Sequence, residues 1–246
     1  MPDVSRLTPA QRRIAALADA HALPDGSVER LSVLLSLLAE EGAPTAVHDP
    51  VRIADVHIAD ALVALELPEL AAAGRIADLG AGAGLPGLVL AVALPAAEHV
   101  LVESGARKCE FIARAIAELE LDNARVVCAR AEAWDDGIGT CDVVCVRALA
   151  ALPVLCEYAA PLLRVGGSLV AWRGQTDAAE QADGHAAAEV LGLEPAKVLA
   201  VEPYRGSERH TLHVYRKVSP TPPGYPRRPG IATKRPLGAK IRRPRR

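Results

Sequence analysis

The sequence predicts a doubly wound α/β protein: a mostly parallel sheet of seven strands with helices on both faces, preceded by a helical extension. Three observations carry this expectation. From Arg75 onward, short apolar runs alternate with helix-spaced patterns. The first run ends in an acidic, glycine-rich turn, Asp78-Leu79-Gly80-Ala81-Gly82-Ala83-Gly84. The last two runs have no helix between them, so they predict an antiparallel hairpin at the sheet edge.

Element by element, residues 5–67 read as helical. Leu31, Leu34, Leu35 and Leu38 recur at helical spacing. A second helix over 51–65 carries Val56, Ala59 and Val63, with His57 and Asp60 on a neighbouring stripe. Strands are predicted over 75–79, 99–103, 124–129, 141–147 and 168–173, and helices over 85–94, 105–121, 149–163 and 176–191. In the 105–121 helix, Phe111, Ile112, Ala115, Ile116 and Leu119 make one apolar face. The closing hairpin pairs 197–203 with 210–217. Three regions follow: a helical region over 1–67 packed on the core, a core over 68–218, and a basic, proline-rich, flexible tail over 219–246.

Half of the 246 residues are apolar, but only seven are aromatic, so the core must be aliphatic. The five cysteines, Cys109, Cys128, Cys141, Cys145 and Cys156, form no C-x-x-C pair, which points to reduced thiols in a cytoplasmic protein and to no metal site. Arg12 and Arg13 interrupt any signal-like apolar run. The longest apolar stretch, 85–97, is broken by Pro86 and Pro95 and falls short of the ~20 residues a bilayer requires. No membrane partner is expected, and the protein is expected to be monomeric. Net charge is −2, yet residues 219–246 hold nine Lys/Arg and no acid, which leaves −11 for the remainder. Seven prolines in that tail argue against independent folding.

The glycine turn, the helix after it and the apolar run ending in Glu103 form a nucleotide-cofactor grip. Glycines let backbone approach a ligand closely, and a strand-end carboxylate accepts hydrogen bonds from ribose hydroxyls. Gly82-Ala83-Gly84-Leu85-Pro86-Gly87 also fits the dinucleotide pattern G-x-G-x-x-G. S-adenosylmethionine (SAM) is favoured because it carries a sulfonium cation and no phosphate. Asp78 in the loop suits a cation and would repel a pyrophosphate. Asp78, Gly80, Gly82, Gly84 and Glu103 are thus candidate cofactor residues. Ligands in such sheets sit at the carboxyl ends of the strands. Ala131-Glu132, after the third strand, would face an adenine edge, and Arg147 ends the fourth.

The chemistry that is missing narrows the target. No N/D-P-P-Y/F motif follows the fourth strand, where Arg147-Ala148-Leu149-Ala150 stands, and there is no Pro-Cys nucleophile. A guanine N7 fits better, because its lone pair is already free and catalysis reduces to in-line positioning. No general base is then expected. Arg147 is the candidate positioning residue: its fork suits a guanine edge, although it must contact O6 or the cofactor rather than block N7. His57 and Asp60, at i and i+3, share a helix face and read either as a rim contact or as a helix–loop polar contact.

The chain resembles the RsmG (GidB) methyltransferases over residues 45–218. The resemblance rests on Thr45-Ala46-Val47-His48-Asp49-Pro50, His57-Ile58-Ala59-Asp60-Ala61-Leu62, Asp78 through Gly87, Leu101-Val102-Glu103-Ser104 with Arg107-Lys108 and Phe111-Ile112, Ala129-Arg130-Ala131-Glu132, Val146-Arg147-Ala148-Leu149-Ala150 and Arg209-His210. Ala61 stands where the family often has Ser. The resemblance implies a class I, Rossmann-like SAM-methyltransferase fold and methylation of N7 of one guanine in small-subunit ribosomal RNA, free or in the 30S subunit. It implies that Gly80, Leu85, Ala131, Glu132 and Arg147 contact SAM. The tail cations Arg227, Arg228, Lys234, Arg235, Lys240, Arg242 and Arg243 would then bind RNA phosphates. Three alternatives stay open: a SAM methyltransferase for a small molecule or protein, an NAD-binding oxidoreductase, and a non-catalytic RNA-binding factor on the same fold. A small metabolite needs no polycation, no Tyr-x-x-x-Lys hydride motif is evident, and the cofactor loop is intact.

Overall fold

The structure is a computed structural model that describes residues 7–174 and 177–238. It opens with helices α1 (Pro9–Ala20) and α2 (Ser27–Ala39). A capping box starts α1: the Thr8 hydroxyl accepts from the Gln11 amide at 3.2 Å, and the Gln11 carboxamide accepts from the Thr8 amide at 3.0 Å. The Leu31–Leu38 stripe of α2 is buried in one apolar cluster with Leu88, Phe111 and Ile112 from the sheet's own helices. This packing fixes the helical region against the sheet.

Next come α3 (Pro50–Ile53), capped by Asp49, then a π-helical turn (Ala54–Ala59), α4 (Asp60–Leu62), a 3₁₀ turn (Val63–Glu66) and α5 (Pro68–Ala71). A regular α-helix was expected over 51–65. The turn is widened instead, and the Val56 carbonyl accepts a hydrogen bond from Arg147 at 3.2 Å. Widened turns of this kind recur at functional sites.

The strands are β1 (Arg75–Leu79), β2 (Glu98–Glu103), β3 (Ala124–Cys128), β4 (Cys141–Arg147), β5 (Leu163–Arg173), β6 (Leu193–Val201) and β7 (His210–Lys217). Among the described residues they form one sheet of order β3-β2-β1-β4-β5-β7-β6. The first five are parallel; β7 runs antiparallel to both β5 and β6. Helices α6 (Gly87–Ala93), α7 (Ala106–Glu118), α8 (Leu152–Ala159) and α9 (Ala178–Leu191) cover the two faces. The chain leaves β1 toward β2 on one side, while β4 pairs on the other. This reversal of direction opens a crevice at the carboxyl ends of β1 and β4.

Two strands start four or more residues before the sequence expectation, and the helix expected over 149–163 is confined to Leu152–Ala159. β5 starts at Leu163 rather than near 168, because its Gly166-Gly167 pair hides a strand start in the pattern. A side chain at Gly167 would stand 2.7 Å from the Asp142 carbonyl, so glycine permits the close approach to β4. β6 starts at Leu193, directly after the left-handed Gly192 that ends α9, and tolerates Pro195 because it is the edge strand.

The flexible-tail expectation is corrected over the described part of the tail. Residues 219–238 lie against the body, with a short helix α10 (Ile231–Lys234). Ala232 is 2% exposed within the α8–α9 cluster, and Tyr225 and Leu237 pack beside it. Arg227 forms a salt bridge with Glu157, which is 1% exposed. Arg227 is therefore corrected as an RNA contact: its guanidinium faces inward, onto a buried carboxylate. Lys240, Arg242 and Arg243 lie outside the described residues.

Candidate cofactor and substrate site

The glycine turn is built by its neighbours. The amides of Gly80 and Ala81 both donate to the Val102 carbonyl, at 2.8 and 3.2 Å, which ties the loop to the end of β2. Gly80 has φ +68°, and a Cβ there would stand 2.6 Å from Leu149, so only glycine lets the segment after β4 close over the turn. Gly82 differs. At φ +60° its added Cβ would meet nothing nearer than 3.8 Å, so this glycine borders open space.

Glu103 sits at the tip of β2 and is 7% exposed. One carboxylate oxygen accepts from the amides of Ser104 and Gly105, each at 2.8 Å, and the other accepts from Gly82 at 3.0 Å. A carboxylate has about four acceptor positions, so the Gly82-facing oxygen keeps capacity for a ligand hydroxyl. The same strand end therefore shapes the loop and offers an acceptor beside it.

Asp78 does not face the open side of the glycine turn, and its reading as a direct cofactor contact is corrected. It is 2% exposed beneath the loop, where one oxygen accepts from the Gly87 amide at 2.8 Å. Its other oxygen has no partner among the described residues. Burial pushes its carboxyl up to about 7. Asp78 clasps the start of α6 and so holds the glycine loop from behind. Leu85 is likewise 6% exposed within the apolar cluster, and Pro86 occupies the N-cap of α6 rather than its first turn. Gly84 is packed against Leu88.

Gly80, Ser104, Ala131, Glu132, Leu149 and Tyr158 line a narrow hollow of about 100 Å³ at the ends of β1–β3. Beside it, at the ends of β4 and β5, lies a cavity of about 500 Å³ bordered by His57, Asp60, Arg147, Ala148, Trp172 and His210. The larger of the two has a volume that suits a small-molecule or single-base ligand. Ala148, between hollow and cavity, takes a left-handed φ of 54°, a conformation unusual for a residue with a side chain.

Arg147 is the hub of this cavity. It donates to Asp60 at 3.0 Å and to the Val56 carbonyl at 3.2 Å, and its other terminal nitrogen lies 3.5 Å from His57 Nδ1. Because guanidinium only donates, Nδ1 carries a lone pair and Nε2–H donates to the Thr45 hydroxyl at 2.8 Å. Burial, with the Arg147 charge second, lowers His57 to about 4, so the ring is neutral near pH 7. Asp60 also accepts from His210 Nδ1 at 3.0 Å, and its backbone carbonyl accepts from the Trp172 indole at 2.8 Å. Arg147 is thus not a bare surface strand end. It joins the π-helical turn to the sheet while one face of its network borders the cavity.

The structure brings Gly80, Gly82, Glu103, Ala131, Glu132 and Arg147 to one edge of the sheet. Reading the sequence missed the roles of Thr45, Trp172 and His210. Thr45 and His210 stand in the segments that carry the family resemblance, which was the available signal; Trp172 had none beyond ending an apolar run. Arg228, Lys234 and Arg235 are exposed, with no ion-pair partner among the described residues. Among those residues no cluster could hold a metal ion, and no helix is long and apolar enough to cross a membrane.

The chain is similar to known proteins in both sequence and fold. The family described as "rRNA small subunit methyltransferase G" matches residues 27–211. A ribosomal RNA small subunit methyltransferase G from Rubrobacter xylanophilus is 43% identical over 195 residues, covering 77% of this chain and 75% of that protein. One from Desulfitobacterium hafniense is 37% identical over 221 residues, covering 87% and 91%. Among solved structures, a geranyl diphosphate methyltransferase in complex with SAM aligns with a TM-score of 0.54 at 17% identity, covering 74% of this chain and 94% of that one. A SAM-dependent methyltransferase from Aquifex aeolicus aligns at 0.52 and 13% identity, covering 70% and 94%. These two likenesses establish the class I methyltransferase fold.

Proposed function

Because this chain belongs to the rRNA small subunit methyltransferase G family, we propose that it transfers a methyl group from SAM to N7 of a guanine in small-subunit ribosomal RNA. The observation that carries the proposal is the juxtaposition of two spaces. A narrow hollow, beside the open face of Gly82 and the Glu103 carboxylate, adjoins a larger cavity bordered by Arg147.

The residues present fit the cofactor. Gly82 leaves room that any side chain would fill, and Glu103 offers an acceptor to a ribose. Ala131 and Glu132 border the adenine side, and Gly80 lets Leu149 pack over the turn. When bound, SAM supplies an electrophilic methyl group on a positive sulfonium. Arg147 sits where a base entering the larger cavity meets the hollow, and its remaining donor capacity suits guanine O6. His57 is neutral and committed to Thr45 and Arg147, which suits a reaction in which no proton need be removed from the nucleophile. Positioning then supplies the catalysis. The exposed cations Arg228, Lys234 and Arg235, with Lys240, Arg242 and Arg243 beyond them, are proposed to meet RNA phosphates. The reaction would take place in the cytoplasm, where ribosomal subunits are assembled.

The test is methyl transfer from labelled SAM to 30S subunits, naked ribosomal RNA and protein fractions, followed by nucleoside analysis. Label recovered as 7-methylguanosine from small-subunit RNA is expected. Label confined to protein or to a small metabolite would sink the proposal.

A further inference from the structure

The C-terminal segment contacts the body at the cofactor hollow itself. Gly230, in a left-handed turn at φ +78°, donates its amide to a Glu132 carboxylate oxygen at 3.0 Å. Glu132 lines the hollow. Tyr158 lines it too, and its hydroxyl meets the Thr233 hydroxyl at 3.2 Å. Two hollow-lining side chains are therefore held by a segment 75 and 98 residues away in sequence.

The anchorage is firm on both sides of these contacts. Upstream, Arg227 donates to Glu157 at 2.7 Å through Nε and at 3.2 Å through its amide. Downstream, Ala232 is 2% exposed among α8 and α9 side chains, and Gly238 lies so close to Asp183 that a Cβ would come within 2.8 Å of its carbonyl. Tyr158, itself in contact with Thr233, also hydrogen-bonds the Glu132 carboxylate, so the segment holds Glu132 directly through Gly230 and indirectly through Tyr158. A half-buried carboxylate with fewer donors would sample several rotamers, and the cost of ordering it would fall on the ligand.

We infer that residues 225–238 form a strap that completes the adenine side of the cofactor site, with Gly230 as the positioning residue that holds Glu132 ready for the ligand. The inference rests on the SAM reading above. Undocking the strap removes the Gly230 donor and the Thr233 contact that holds Tyr158, and so loosens the carboxylate before the ligand arrives. The strap also carries exposed Arg228, Lys234 and Arg235. Contact of RNA with those cations would stabilise the docked strap and so tighten the cofactor, and linkage requires the reverse as well.

The test is calorimetric titration of the full chain with S-adenosylhomocysteine and with methylthioadenosine, which keeps the adenosine half and lacks the amino-acid half. Ala232→Asp buries a charge under the strap and should undock it. Both ligands should then bind about tenfold more weakly, the size of one lost hydrogen bond to a charged group. In a Glu132→Ala background the same substitution should add less than about twofold, because both changes remove one interaction. A strap that merely stabilises the fold would lower the melting temperature, leave both affinities unchanged well below it, and overturn the inference. Additive losses in the double variant would overturn it equally. If Ala232→Asp does not fold, Gly230→Ala serves. No atom lies within 4 Å of its added Cβ, so only the left-handed turn is strained. It should weaken both ligands by about threefold, and unaltered affinity would refute the strap's role. Failure of the unsubstituted chain to bind either ligand would instead sink the SAM reading.

Discussion

Replacing Arg147 with alanine separates the two jobs the structure gives this residue. The guanidinium satisfies Asp60, which is 6% exposed, and the Val56 carbonyl at a widened helical turn. Removing one partner of a buried ion pair costs about 3–5 kcal/mol when nothing else compensates. Here His210 still donates to Asp60, and the Arg147 side chain is 17% exposed. A loss of about 2–3 kcal/mol is therefore expected, at or just below the bottom of that range. Urea unfolding followed by circular dichroism should show a midpoint lowered by roughly 1 M with unchanged slope. His57 provides a local probe. Burial is the larger cause of its lowering to about 4 and the Arg147 charge the second, so in Arg147→Ala its NMR titration should move up without reaching the ordinary 6.5. Because the folded value lies below the unfolded one, neutral His57 stabilises the fold above about pH 6.5, and that contribution is lost as pH falls toward 4. The variant should lose less stability over this interval than the parent. Turnover on 30S subunits should fall by at least about 100-fold, as expected when a positioning group is removed. Arg147→Lys should rescue poorly, since it lacks the planar fork. Unchanged stability, an unmoved His57 titration and near-normal turnover would together refute the account.

Four further outcomes are expected. Glu103→Ala should weaken S-adenosylhomocysteine by about 1.5–3 kcal/mol in calorimetry, and Gly82→Val should abolish binding by filling the open space beside the loop; tight NAD binding in place of SAM would exclude the cofactor reading. Asp78 is held near 7 against an ordinary 3.8, so its contribution is fully present below about pH 4 and lost as pH rises through 7. Unfolding titrations should show a falling component of at most about 1.4 kcal/mol per pH unit in that window, missing in Asp78→Asn; identical pH profiles would contradict the buried, half-satisfied carboxylate. Arg227→Ala strands Glu157 at 1% exposure and should cost about 3 kcal/mol, measurable as a lowered denaturant midpoint, whereas a freely flexible tail would give no change. Alanine at Arg228, Lys234 and Arg235 together should weaken ribosomal RNA binding, and each lost phosphate contact should flatten the log–log salt slope by roughly 0.7–0.9; an unaltered slope would remove these residues from the RNA surface.

Local pattern made the sheet and the glycine loop legible from sequence. Strand and helix periodicity is a property of neighbouring residues, and the acidic, glycine-rich turn followed by Glu103 writes the cofactor grip into about 25 consecutive positions. Arg147 was found because strand ends in such sheets point at ligands. What the pattern did not carry was partner choice across long separations. Asp78 read as a ligand contact because a loop carboxylate suits a cation, yet burial and the Gly87 amide turn it to the back of the loop. The helix over 51–65 read as regular, because periodicity does not report that a carbonyl will be claimed by an arginine 91 positions later. The tail read as flexible from its prolines and charge, which describe the isolated segment correctly. Only the folded body supplies the buried Glu157, the Glu132 carboxylate and the apolar seat for Ala232 that hold the strap down. Local propensity fixes what a segment prefers alone; burial and charge pairing with distant segments decide where it ends up, and those terms exist only once the chain has closed on itself.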